Sequence, residues 1–325
     1  MARSTDTVRV RDQRAKGSEE TGGIMETQTE KALVSRIRIV QLTLANACKA
    51  TIHFMRTKPL GAMGMVIVLV ATLVALTAPL AVPHDPWGVD SSTILQSPNT
   101  TFWFGTDMLG RDILSRTMYG ARISMLVGLV SMAGASFMGT VVGITSAHFG
   151  GWYDLVVQRL IDGLTAFPSL LLAIALMAAF GQSLTNVMLA LAIVFCPRIT
   201  RVVRSAALGI KQTAYIDAAR AIGATDLRIM MRHVLPNTFA PLIVITTASV
   251  GTMIIVEASL SFLGVGTPGG VISWGSLLSG EVQTFFATAP WIGLFPGFAL
   301  TLVVFGINVF GDSLRDVLDP RLRRT

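Results

Sequence analysis

Long apolar runs separated by short polar islands set the pattern of this chain. No charged residue stands between Lys58 and Asp85, from Ile123 to Ala147, from Gly163 to Pro197, from Val234 to Val256, or from Val282 to Gly311. A helix needs about 20 mostly apolar residues to cross a bilayer, because in hydrocarbon its backbone must satisfy its own hydrogen bonds. The gap from Gly163 to Pro197 covers 35 residues, room for two closely spaced crossings. The pattern therefore predicts an all-α integral membrane protein with six transmembrane helices.

The first two spans are expected at about Met63–Val82 and Ser124–Ala147, joined by a loop that opens on Pro83-His84-Asp85-Pro86-Trp87. The second half of that loop, Gly105 to Ser124, reads as a short interfacial helix carrying Arg111, Ser115 and Arg122. The third span starts near Asp162, whose carboxylate would favour a helix N-terminus. The hairpin Gly181-Gln182-Ser183 leads into a fourth span ending around Arg198–Arg204. The fifth runs from Phe239 to about Leu263 and the sixth from about Trp291 to Phe310. Residues 1–58 form a tail, polar up to about Lys31, in which Leu33, Ile37, Val40, Leu44 and Ala47 sit at the spacing of an interfacial amphipathic helix. Residues 59–119 hold the first span and its loop, 120–311 the five-helix core with a polar connection at 200–236, and 312–325 a second tail.

Composition agrees with the pattern and charge orients it. The chain of 325 residues is 52% hydrophobic and 14% charged, with a mean hydropathy of +0.62. Of 26 Lys and Arg, 23 fall on one side of a six-span arrangement, leaving Arg111, Arg116 and Arg122 on the other. By the positive-inside rule both termini are expected in the cytoplasm. The net charge of +7 is accounted for by topology, and its interruption by spans argues against a nucleic-acid surface. Trp87, Trp152, Trp274 and Trp291 fall at or just beyond span ends, as interfacial aromatics do.

Catalytic chemistry is sparse. No stretch matches a P-loop, HExxH or paired-cysteine motif, so no metal site, catalytic residue or ATP cradle is expected in this chain. Cys48 and Cys196 read as small apolar fillers. Gly311-Asp312-Ser313-Leu314 spells a hydrolase-like GDSL without a histidine or strand context. Gly139 to Gly143 gives a GxxxG, which lets helix backbones approach closely, within the chain or on a partner. Glu257 is the one acid inside an apolar segment, a candidate for the transport pathway or an outer vestibule. It stands 21 residues beyond Pro236, about 31 Å along a helix.

The most informative island is Tyr215–Asn237, YIDAARAIGATDLRIMMRHVLPN. Residues 214–222 can form a thin helix stopped by Gly223. Thr225 or Asp226 can cap a second helix, Leu227 to Leu235, and Pro236 would mark the turn into the membrane. Composition leaves two readings open, a handle gripped by another protein or an ordinary basic loop on the membrane surface.

The spacing of Asp217, Ala218, Ala219, Gly223, Leu235 and Pro236 resembles the EAA loop of importer permeases of the ATP-binding-cassette class. Asp stands for the usual Glu, and His233 stands where the general pattern has Ile. GTDMLGRDILSR, YGARIS, DGLTAFPSLLLAIAL, IIVEASLSFLG, SWGSLL, PWIGLFPG and LRDVLDPRLR are similar to the C-type subunit of the dipeptide/oligopeptide/nickel permease family, over roughly Thr106 to Arg324. The resemblance implies one half of a bacterial or archaeal inner-membrane pathway, completed by a homologous second permease subunit. It implies two cytoplasmic ATPase subunits that bind the ATP, an outer solute-binding protein, and no cofactor or enzymatic site in this chain. Asp217, Ala218, Ala219, Gly223, Leu235 and Pro236 would couple to the ATPase. Peptides are the expected substrate, with nickel or another small solute as the alternative. An ion-coupled transporter or channel using Glu257 is the rival of another class.

Overall fold

A computed structural model describes residues 55–318 of the chain. The expected N-terminal interfacial helix, Cys48 and the last residues of the C-terminal tail lie outside them. The described residues form eleven α-helices: α1 (Pro59–Ala81), α2 (Ile113–Phe149), α3 (Gly151–Thr165), α4 (Ser169–Phe180), α5 (Leu184–Lys211), α6 (Ala214–Ala221), α7 (Asp226–Ile229), α8 (Leu235–Phe262), α9 (Trp274–Leu277), α10 (Glu281–Phe285) and α11 (Trp291–Leu318). A π turn, Met230–Val234, joins α7 to α8. Five segments are long and apolar enough to cross a membrane, and a sixth if the bent pair α3–α4 counts as one crossing.

The centre of the bundle is α2 against α5, with α8 packed on both. Small residues make the approach possible. A Cβ on Gly139 would come within 2.8 Å of the Ile199 side chain, and one on Gly143 within 2.8 Å of the Thr200 carbonyl oxygen. The GxxxG of the second span is therefore spent on packing within this chain. Close backbone approach maximises dispersion contacts where no hydrophobic force drives helices together in lipid. The same device recurs between α1 and α11, where a Cβ on Gly64 would lie 2.5 Å from the Gly306 carbonyl oxygen.

Four expectations need correction. Gly105–Ser124 does not form a separate interfacial helix. Asp112 caps α2 by accepting from the backbone N–H groups of Leu114 and Ser115, and α2 then runs unbroken for 37 residues. The third span is not straight: α3 and α4 meet at 96°. Pro168 explains the break, because it donates no backbone hydrogen bond and disfavours helical φ/ψ at Phe167. Asp162 consequently lies in the last turn of α3, where the helix dipole disfavours a carboxylate. Arg201 offsets that, its guanidinium 2.8 Å from the Asp162 carboxylate. Trp274 is not an interfacial aromatic. It is 2% exposed, with its indole N–H donating to the Thr117 carbonyl oxygen at 3.0 Å. Trp152, by contrast, stands 78% exposed at the start of α3.

Candidate functional site: the handle between α5 and α8

The polar island folds as a compact handle. Helix α6 ends in a Schellman turn: the Ala224 N–H donates to the Ala219 carbonyl oxygen at 3.0 Å and the Gly223 N–H to that of Arg220 at 2.9 Å. Gly223 adopts φ +80°, the left-handed conformation that costs a side-chain-bearing residue about 1–2 kcal/mol. Space is not the constraint, since a Cβ there would meet nothing within 4 Å. Thr225, rather than Asp226, caps α7 by accepting from the Arg228 N–H.

Pro236 does not turn the chain. It sits in the first turn of α8, and the helix continues from Asp226 to Phe262 through the π turn. The π turn accommodates the proline, whose missing N–H would have served an α-helical bond. Its register is widened to Leu235 N–H donating to the Met230 carbonyl oxygen. The Asn237 side chain then donates to the His233 carbonyl oxygen at 2.7 Å and to the Tyr215 hydroxyl at 3.2 Å, tying the two ends of the handle together.

Burial sorts the candidate residues. Ile216 and Ile229, at 0% and 1% exposure, root the handle in the bundle core together with Met230 and Val234. Ala219 is also buried, and Leu235 is half-buried against the core. Ala218, Gly223 and Pro236 are exposed. Asp217 caps nothing. It is exposed and forms a loose 3.4 Å pair with Arg220. The His233 ring is half-buried and lies 6.0 Å from that of Tyr215, so it packs inside the handle. Facing outward are Tyr215, Ile222, Leu227 and Met231, with Ile222 86% exposed.

Sequence reasoning missed the charged collar at this end of the bundle. The Arg204 guanidinium donates twice to Asp154, at 2.7 and 2.5 Å, and the Ser146 hydroxyl donates to the same carboxylate. These contacts join α2, α3 and α5. Lys211 donates to the carbonyl oxygens of Ala147 and His148 at 3.1 and 2.6 Å, satisfying the open end of α2. The available signal was the run of arginines three residues apart, Arg198, Arg201 and Arg204, which puts one charged stripe on a helix face.

Glu257 lies far from the handle, toward the other end of α8. It faces α2 and the 264–290 connection and no open vestibule, for it is 0% exposed inside this chain. The Ser261 hydroxyl donates to its Oε1 at 2.9 Å, and the hydroxyls of Ser124 and Ser273 lie beside the carboxyl. Through Ser261 and Thr267 this cluster holds the 264–290 connection against α8 and α2. Trp274 N–H adds a bond to Ser124 Oγ at 3.1 Å. Among the described residues no group of three His, Cys, Asp or Glu side chains could hold a metal ion. The GDSL stretch is part of α11.

Residues 139–324, which include the whole handle, match the family of binding-protein-dependent transport system inner membrane components. The chain belongs to that family. It is a multi-pass inner-membrane protein and the permease of an ABC importer, which works with an ATPase. The permease is 41% identical over 283 residues to the dipeptide transport system permease protein DppC of Alkalihalophilus pseudofirmus, covering 87% of this chain and 93% of that protein. It is 43% identical over 263 residues to a putative peptide transport system permease of Brucella suis, covering 80% and 87%. To the glutathione transport system permease GsiD of Pectobacterium atrosepticum it is 38% identical over 272 residues, covering 83% and 90%. Its fold is similar to a chain in an inward facing structure of the MetNI methionine ABC transporter, with a TM-score of 0.51 at 19% identity, covering 64% of the permease and 98% of that chain.

Proposed function

We propose that this permease forms half of the pathway of a peptide importer and couples to a cytoplasmic ATPase pair through the handle. The observation that carries the reading is the handle's outward face. Ile222, Leu227 and Met231 project from a polar, Arg-bearing segment whose inner face, Ile216, Ala219, Ile229, Met230 and Val234, is buried. Isolated apolar side chains this exposed on a rigid, capped element suit insertion into a partner's groove. Ala218 leaves room for the groove wall, Gly223 supplies the turn, and Leu235 with Pro236 joins the handle to α8. Asp217 contributes charge at the rim. The handle end and both termini lie in the cytoplasm, following the basic residues. A second homologous permease completes the pathway, and a solute-binding protein delivers substrate at the opposite face. ATP is bound and hydrolysed by the ATPase subunits, since this sequence contains no P-loop. Binding of ATP favours one of two permease conformations, which is population shift by differential affinity.

Peptide specificity is supported by the names of the relatives, which include dipeptide, peptide and glutathione permeases. Co-purification tests the coupling. Gly223→Asp places a charged side chain in left-handed backbone and should abolish retention of the ATPase pair while the permease still inserts. Full retention by that variant would sink the reading. Mass spectrometry of the ligand carried by the cognate binding protein tests the substrate class, and a metal chelate in place of a peptide would reassign it.

A further inference from the structure

The handle meets the rest of the bundle mainly through apolar contacts, which tolerate sliding. One contact is different. The His148 ring, in the last turn of α2, places Nε2 2.8 Å from Oδ1 of Asp226, the first residue of α7. Among the described residues this is the only side chain-to-side chain hydrogen bond that leaves the handle, 215–237, for another helix of the bundle. An ionised carboxylate only accepts, so the ring N–H is the donor.

Three features make the contact directional. The His148 side chain is 6% exposed and so has little freedom to follow a moving partner, whereas Asp226 is 68% exposed on the handle's surface. The Thr225 cap fixes the backbone on which Asp226 stands. Finally, the carbonyl oxygen of His148 is gripped by Lys211, so the end of α2 is held to the end of α5 at the same point. A displacement of the handle would thus reach α2, the helix packed on α5 and α8 at the centre of the bundle, through this bond.

We propose that His148 and Asp226 form the strut through which handle motion drives α2, a positioning pair for transport. The inference rests on the coupling reading above. It assigns to α2 a direct share of the motion, in addition to that carried by the continuous α7–α8 segment. The strut is absent from the motif spacing, because its partners are 78 residues apart.

Spin labels test it in the whole importer, reconstituted in lipid with both permeases, the ATPase pair and the binding protein. Labels go on Arg228→Cys in the handle and Phe137→Cys on the exposed side of α2, with Cys48 and Cys196 replaced. Pulsed electron–electron resonance reads their separation before and after trapping with ATP and vanadate. With the strut intact the distance distribution stays narrow and keeps its position on trapping. Asp226→Ala should broaden and shift it while ATPase retention is unchanged. His148→Ala should do the same, the double variant should do no more than either, and Asp226→Asn, which keeps the acceptor oxygen, should behave as the parent. Asp226 is at the surface, so its truncation spares the core. An unchanged distribution in Asp226→Ala, or additive effects in the double variant, would overturn the strut and leave the coupling reading standing. ATPase retention that is insensitive to Gly223→Asp would instead remove the coupling reading, and the strut with it.

Discussion

The two ends of this helical bundle are polar in different ways. At the handle end, charged groups on α2, α3, α5 and α7 pair across helices: Asp154 with Arg204, Asp162 with Arg201, Asp226 with His148. Most of these groups are partly exposed, and the handle beyond them turns apolar side chains outward. At the opposite end the charged groups are themselves enclosed: Asp107 pairs with Arg111 and Arg116, Asp112 with His84, and Glu257 lies among hydroxyls under a connection that folds back onto α2 and α8. Ser124, Ser261, Ser273 and Glu257 are all buried there. Apart from Glu257 Oε2, these buried groups find their hydrogen-bond partners within the chain. An exposed apolar handle on a charged collar stays unsatisfied until something covers it. The contrast separates an end built to close on itself from an end built to engage another protein.

Substitutions can break that contrast, and the packed end should respond most. A Cβ on Gly275 would lie 2.5 Å from the Ala258 carbonyl oxygen and 2.6 Å from its Cα, both backbone atoms that cannot yield cheaply. Gly275→Val should therefore lift the 264–290 connection and cost about 3 kcal/mol, the upper part of the range for overpacking. The check is thermal unfolding in detergent, followed through the buried Trp274. An unfolding midpoint equal to that of the parent would show that this end is loosely held.

Arg204→Ala comes next. It leaves the Asp154 carboxylate, 19% exposed, with only the Ser146 hydroxyl as its donor within α2. Loss of a charge-assisted pair of this kind should cost about 1.5–3 kcal/mol. Limited proteolysis at the α2–α3 junction should accelerate accordingly, and a cleavage pattern identical to the parent's would argue that the collar is ornamental to stability.

The smallest effect belongs to the handle's own ion pair. Asp217→Ala removes a 3.4 Å contact between two exposed groups and should change stability by less than about 0.5 kcal/mol. Its effect should show only in ATPase retention at low salt, where screening is weak. A clear drop in the unfolding midpoint would mean that Asp217 supports the handle's fold rather than its surface.

Residue order alone determined the number and approximate place of the long apolar helices, because a bilayer demands about 20 apolar residues per crossing and tolerates few charges. It also located the handle and its Gly223 stop and narrowed the second cap to Thr225 or Asp226, since left-handed backbone and capping oxygen are local demands written in single residues. The bend between α3 and α4 was legible in Pro168 but outweighed by the length of the charge-free run. Only the tertiary structure decided where side chains turn: Ala219 inward and Ala218 outward, Glu257 into a hydroxyl cluster, Trp274 under a loop, Pro236 within a continuous helix. It alone brought Asp154 to Arg204 across 50 residues and His148 to Asp226 across 78. Pairings of that reach depend on which helices become neighbours, and neighbours are chosen by the packing of small residues such as Gly139 and Gly143 rather than by any local spacing.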